Sequence, residues 1–182
     1  LMRGITESGL DVLNVGMVAT PMLYFAAIKE CGGSGVMITG SHNPPDYNGF
    51  KMMLAGDTLA GEAVQELLSA IQNDQFVAGN GKVSEQDFAA AYQAAIVDHI
   101  KLARPMNIVI DAGNGVPGAF AGDLFRALGC TVTELFCEVD GNFPNHHPDP
   151  AKPENLQDLI RALQNSDAEI GLAFDGDGDR LG

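Results

Sequence analysis

Apolar runs of strand length alternate with helical patterns through most of this chain, and that alternation limits the fold more than any other feature. Leu10–Val15 reads as a strand. Thr20-Pro21 supplies a capping hydroxyl and a proline at the first helical position, so Met22 to Cys31 reads as a helix, closed by Gly32-Gly33. Gly35–Thr39 and Phe50–Leu54 read as short strands either side of a polar loop. Ala63 to Ile71 reads as a helix, with Val64, Leu67, Leu68 and Ile71 at helical spacing. Gly79-Asn80-Gly81-Lys82 is small and polar and marks the candidate domain boundary. Ser84 to Asp87 then opens a helix, Phe88 to Leu102, which ends near Arg104-Pro105. A second alternating set follows: strand Asn107–Asp111, helix Val116–Leu128, strand Thr131–Phe136, a proline-rich loop from Glu138 to Pro153, helix Glu154–Gln164 and strand Glu169–Phe174. Strands alternating with helices imply βαβ units and a mostly parallel sheet with helices on both faces. Ligands of such sheets gather at the carboxyl ends of the strands, so the loops there are where chemistry is expected.

Charge narrows the partners. Ten Lys+Arg stand against 24 Asp+Glu, a formal charge of −14. A nucleic-acid backbone or an anionic membrane needs a basic surface, and neither is expected as a partner. No apolar run is long enough for a membrane span, and the first residues carry no secretory signal, so the chain is read as cytoplasmic. A small anionic substrate remains possible with local cations or a metal ion to receive it. The three cysteines, Cys31, Cys130 and Cys137, form no Cys-x-x-Cys pair and read as free, buried thiols in a reducing compartment; a Cys130/Cys137 redox couple is the less favoured reading. The chain begins at Leu1 and stops at Gly182, just beyond an Asp- and Gly-rich loop, which reads as a fragment.

Four loops carry candidate chemistry. In Thr39-Gly40-Ser41-His42-Asn43-Pro44-Pro45, Ser41 stands at the end of a buried strand in a loop stiffened by two prolines. That suits a nucleophilic hydroxyl, with His42 and Lys51 as nearby titratable groups, but on composition alone a plain proline turn with an Asx-type hydrogen bond is the favoured reading. Asp175-Gly176-Asp177-Gly178-Asp179-Arg180 follows the last strand directly. Three carboxylates can converge only around a cation, and hard oxygen ligands indicate Mg²⁺ or Ca²⁺. An EF-hand would need glycine where Arg180 stands and a helix rather than a strand before the loop, so Mg²⁺ at a phosphoryl-transfer site fits better. Gly113-Asn114-Gly115-Val116-Pro117-Gly118 formally satisfies G-x-G-x-x-G, with Glu134 about 20 residues on. It supports the alternative of an NAD(P)-binding oxidoreductase domain, against the plainer reading of a tight strand-to-helix turn. His146, His147 and Asp149 read as loop hydrogen bonding rather than a shared metal, because neighbouring residues of an extended segment point opposite ways. A non-catalytic metal-binding module is the remaining alternative.

Thr39-Gly40-Ser41-His42-Asn43-Pro44, Asn48-Gly49-Phe50-Lys51 and Asp175 to Arg180 together resemble the α-D-phosphohexomutase family. Glu138 to Pro148 looks most like its bacterial phosphomannomutase/phosphoglucomutase branch. The likeness covers essentially the whole chain. It implies two three-layer α/β/α units with mostly parallel mixed sheets, both incomplete. Residues 1–83 would be the later part of the family's first domain, with the phosphoserine loop, and residues 84–182 most of its second, ending at the metal loop. It implies that Ser41 is the phosphoserine and that Asp175, Asp177 and Asp179 hold Mg²⁺ with a phosphoserine oxygen. Lys51 and Arg180 would lie against the phosphoryl group, with His42 beside it. A phosphoserine near −2, three aspartates and Mg²⁺ leave about −3 for Lys51, Arg180 and substrate-side groups to offset. The implied activity interconverts hexose 6-phosphate and hexose 1-phosphate, of mannose or glucose, through a hexose 1,6-bisphosphate. The family's upstream strand with its active-site arginine, its sugar-reading third domain and its phosphate-gripping fourth have no counterpart here, so the chain alone is expected to be inactive.

Overall fold

The element order is mixed α/β, and the computed structural model describes residues 1–44 and 46–182. Pro45, the second of the two loop prolines, lies outside the described residues. The chain divides into two units. One comprises Leu1–Gly16, Leu23–Met37 and Lys51–Phe88; the other comprises Met17–Met22, Ile38–Phe50 and Ala89–Gly182.

The first unit opens with helix α1 (Met2–Glu7), followed by strand β1 (Val12–Asn14). Helix α2 (Thr20–Glu30) starts within the second unit and continues in the first. Strands β2 (Gly35–Thr39) and β3 (Gly49–Leu54), whose residues 38–39 and 49–50 belong to the second unit, and β4 (Asp57–Thr58) form one sheet in that order, with β4 antiparallel to β3. Helix α3 (Glu62–Gln72) and strand β5 (Val83–Glu85) complete the unit, and β5 runs parallel to β1. Gly32 and Gly33 close α2 as expected, both with positive φ, and Gly33 donates to the Ala27 carbonyl. A Cβ on Gly33 would lie 2.5 Å from the Gly56 nitrogen, so only glycine fits there. Val64, Leu67, Leu68 and Ile71 share a face of α3 as their spacing requires, and all four are exposed. The Gly79–Lys82 segment is tied down: Gly79 donates to Glu7, Gly81 to Thr6 and Lys82 to the Asp11 carboxylate.

In the second unit, helix α4 (Ala89–His99) leads to strand β6 (Asn107–Asp111). Helix α5 (Ala121–Ala127), strand β7 (Thr131–Leu135), helix α6 (Gln157–Gln164) and strand β8 (Ile170–Ala173) follow. The sheet is wholly parallel in the order β7-β6-β8. Successive β6 side chains face opposite ways. Ile108 and Ile110 pack with Ala121 and Phe125 on one face; Val109 packs with Leu159 and Leu163 on the other. This is the expected three-layer arrangement, with α5 and α6 on opposite sides of a strand buried on both. Full burial of side chains such as Val109 and Ile110 contributes about 1.5–3 kcal/mol each. The chain goes one way from β6 to β7 and then back past β6 to β8. The order therefore reverses at β6, and the loops after β6 and β8 adjoin at the resulting switch point.

The structure departs from the sequence reading at several places. Ser84 and Glu85 belong to β5 rather than to a helix opening, because the backbone of β1 supplies their pairing. The expected Val116–Leu128 helix divides into a 3-10 turn, Val116–Ala119, and α5, because Phe120 takes φ −146°. Cys31 is exposed rather than buried: α2 has ended at Glu30 and Cys31 starts the turn. All three cysteines are free, and Cys130 and Cys137 pack beside the Ile108/Ile110 cluster. Burial, with the charges of Glu134 and Asp111, pushes the Cys137 thiol up to about 11, which keeps it protonated and unreactive.

Candidate active site

The site lies wholly within the second unit. Ser41 follows the carboxyl end of β2 with φ +53°, a left-handed conformation uncommon for a residue with a Cβ. Its amide donates to Thr39 Oγ1 at 2.8 Å, and Asn43 closes the turn onto the Gly40 carbonyl at 2.8 Å. Ser41 Oγ donates to Asp175 Oδ2 at 2.8 Å and accepts from Arg180 Nη2 at 2.7 Å. The hydroxyl is therefore held between a carboxylate and a guanidinium. His42 Nδ1 lies 3.4 Å from the same oxygen and is also reached by Arg180 Nη2. Arginine can only donate, so His42 Nδ1 is the acceptor and its ring proton sits on Nε2.

The loop after β8 curls so that its backbone and acids point inward. Asp175 donates its amide to Arg180, and its Oδ1 accepts from the amides of Asp179 and Arg180, each at 3.1 Å. Asp177 Oδ2 accepts from Thr20 Oγ1 at 2.8 Å and from Thr39 Oγ1 at 2.9 Å. Thr39 thus joins the two loops, receiving the Ser41 amide and donating to Asp177. Arg180 Nε lies 3.3 Å from Asp175 and 3.7 Å from Asp179.

Carboxylate oxygens of Asp175, Asp177 and Asp179 lie within 4.8 Å of one another. Asp175 and Asp177 are buried. Burial raises the Asp175 carboxyl above its ordinary range, Ser41 and the Arg180 amide pull it back, and the charges of Asp177 and Asp179 push it further up. Clustered, buried like charges with oxygen-only donors suit a hard divalent cation, which would relieve both their repulsion and their desolvation.

The Gly113–Gly118 loop serves packing rather than nucleotide binding. A Cβ on Gly115 would lie 2.8 Å from the Gly176 Cα, and one on Gly118 would lie 2.3 Å from the Cys137 carbonyl oxygen. The Val116 amide donates to Gly176, so the group a pyrophosphate would need is committed to the acidic loop. Glu134, which a dinucleotide fold would aim at a ribose, is paired with Arg126 at 2.8 Å. Gly176 is squeezed from the other side too: its Cβ would lie 2.3 Å from the Ser41 carbonyl oxygen.

The histidine loop makes hydrogen bonds, as expected. His146 Nε2 lies 3.0 Å from both carboxylate oxygens of buried Asp111, and its Nδ1 lies 3.0 Å from the His147 carbonyl. Both ring nitrogens face acceptors, so the imidazolium satisfies both. The hydrogen bond to Asp111 holds this imidazole above its ordinary pKa, burial opposing it; the His147 carbonyl and the charges of Asp111 and Asp158 add to the rise. A raised pKa stabilises the fold fully below the unfolded value of about 6.5, and that stabilisation is lost as pH rises through the folded value. His146→Gln is expected to cost about 2 kcal/mol near pH 5 and clearly less near pH 9, read from denaturant melts at both pH values.

Of the residues singled out from the sequence, Ser41, His42, Asp175, Asp177, Asp179 and Arg180 come together. Lys51 lies on β3 in the first unit and is half-buried. The sequence does not mark Thr20 and Thr39 as site residues. The only signal was their position at element ends, where a hydroxyl also reads as a cap.

A parallel α/β unit that sets a strained serine against an acidic loop beside its switch point defines the general class. A family model described as phosphoglucomutase/phosphomannomutase, alpha/beta/alpha domain II, matches residues 86–182, and the corresponding domain I model matches residues 1–78. A phosphoglucomutase of Neisseria gonorrhoeae is 74% identical over the whole chain, which covers 40% of that relative. A phosphomannomutase/phosphoglucomutase of Pseudomonas aeruginosa is 56% identical over the whole chain, which covers 39% of it. The crystal structure of a phosphoglucomutase/phosphomannomutase family protein from Burkholderia thailandensis superposes with a TM-score of 0.93 at 55% identity, over 98% of this chain and 41% of that one. The chain belongs to the phosphoglucomutase/phosphomannomutase family and spans about 40% of the length of the curated relatives it matches. Among the described residues no helix is long and apolar enough to cross a membrane.

Proposed function

We propose that this chain carries the phosphoryl-transfer centre of a cytoplasmic hexose-phosphate mutase acting on glucose or mannose phosphates, with Ser41 as the phosphoryl carrier. The observation that carries the reading is Ser41 Oγ, held 2.8 Å from Asp175 and 2.7 Å from Arg180 although those residues are more than 130 positions away. On this reading residues 1–83 and 84–182 are parts of two domains, and the remaining domains of the enzyme read the sugar and grip its phosphate.

Phosphorylated Ser41 gives its phosphoryl group to the free hydroxyl of a hexose phosphate. The P–Oγ bond breaks, a P–O bond to the sugar forms, and a hexose 1,6-bisphosphate results. After the bisphosphate turns round, Ser41 takes back the other phosphoryl group, so that the phosphate moves between O6 and O1. Arg180 stabilises charge on the transferring oxygens, and Lys51 is assigned the same task. His42 and Lys51 are the two groups assigned to moving the hydroxyl proton. Mg²⁺, held by Asp175, Asp177, Asp179 and an oxygen on Ser41, would neutralise phosphoryl charge at this point.

The test is a mass measurement of the full-length protein after exposure to hexose 1,6-bisphosphate. One added phosphoryl group on the tryptic peptide containing Ser41 is expected, together with interconversion of the two monophosphates. A cation-raised melting temperature without phosphoserine or turnover would favour a purely structural metal module instead.

A further inference from the structure

We propose that His147 is a positioning residue for Ser41, acting through the backbone carbonyl of His42. The proposal rests on the reading of Ser41 as phosphoryl carrier. His147 Nε2 meets the His42 carbonyl oxygen across 105 residues of sequence. A carbonyl only accepts, so this nitrogen donates and the ring proton is fixed on it. The carbonyl belongs to the residue directly after Ser41, whose φ of +53° requires outside support. The amide side of Ser41 is held by Thr39 Oγ1, and the His147 ring holds the chain on the other side.

His147 is well placed to act as a fixed post. Its ring meets Phe143 edge-on, with centroids 6.3 Å apart. Its carbonyl accepts from the Asp149 amide at 2.8 Å and from His146, which is itself anchored on buried Asp111 at the end of β6. Pro148 is fully buried, and a Cβ on Gly113 would press on it at 3.0 Å. A rigid path thus runs from the central strand through the histidine loop to the serine turn. Phosphoryl transfer depends on in-line geometry, so a turn free to swing forfeits rate rather than substrate affinity.

The experiment compares three variants of the full-length protein. His147→Phe keeps the ring and loses the donor; His147→Gln keeps an N–H near the position of Nε2; Ser41→Ala is the control. His147→Phe is expected to lower kcat about 10–100-fold with KM within about twofold, and to slow single-turnover loading of Ser41 equally. His147→Gln is expected to recover most of that loss, and it carries the comparison should His147→Phe fail to fold, by retaining turnover within about threefold of the parent. His147→Phe that turns over like the parent, or a folded His147→Gln slowed more than about tenfold, overturns the inference while an inactive Ser41→Ala leaves the parent reading standing. An active Ser41→Ala overturns the parent reading itself.

Discussion

Ser41→Ala is expected to lower mutase turnover of the full-length protein by at least about 10⁴-fold while leaving the fold intact. Alanine offers no oxygen to carry a phosphoryl group, so both half-reactions lose their shared intermediate. The structural consequences are small by comparison. Serine already bears a Cβ at φ +53°, so alanine adds no new backbone conflict. Asp175 loses one hydroxyl but keeps the amides of Asp179 and Arg180 on Oδ1 and Arg180 Nε at 3.3 Å. The stability change should be about 1 kcal/mol, the usual size for one lost hydrogen bond. Turnover and thermal melting measured on the same preparation separate the two effects. A variant that retains turnover removes Ser41 from the role of nucleophile; one that loses turnover only by unfolding leaves the assignment unsupported.

What the sequence makes legible here is whatever a local pattern dictates. Asn107–Asp111 reads as a strand because its apolar run is buried on both faces, and β6 is found at those residues. Val83-Ser84-Glu85 does not, because all three are exposed and are held by pairing with β1 across 71 residues. The Val116 region reads as one helix by its apolar spacing, yet Phe120 leaves helical φ and splits it into a 3-10 turn and α5. The site divides in the same way. Three aspartates at alternate positions announce a cation loop by themselves. Thr20, Thr39 and His147 do not announce their partners, since each acts on a residue more than 100 positions away. The glycine loop shows how a pattern can be satisfied for another reason: Gly115 is required by Gly176, and Gly118 by Cys137, without any phosphate.

Asp177→Asn is expected to abolish turnover at least about 100-fold and to remove the cation dependence of the melting temperature. The argument turns on which oxygen does what. Oδ2 already accepts from Thr20 and Thr39, so an asparagine satisfies both hydroxyls by placing its carbonyl oxygen there. Its amide nitrogen then takes the place of the second carboxylate oxygen, so the cluster of Asp175, Asp177 and Asp179 loses one oxygen donor and one negative charge. A hard cation gains nothing from an N–H, so affinity falls while the loop geometry survives. Without a cation the sign reverses. Buried Asp175 and Asp177 repel each other, and Asp177 helps hold the Asp175 carboxyl above its ordinary range. Replacing one of the two charges should therefore raise the melting temperature of the cation-free protein, or at least not lower it. Melts with EDTA and with Mg²⁺ give four values for parent and variant. The expected pattern is a parent stabilised by Mg²⁺ and a variant indifferent to it. A variant that still gains stability from Mg²⁺ would place the cation elsewhere, and one that melts far below the parent in EDTA would mean that the Asp177 charge holds the loop directly.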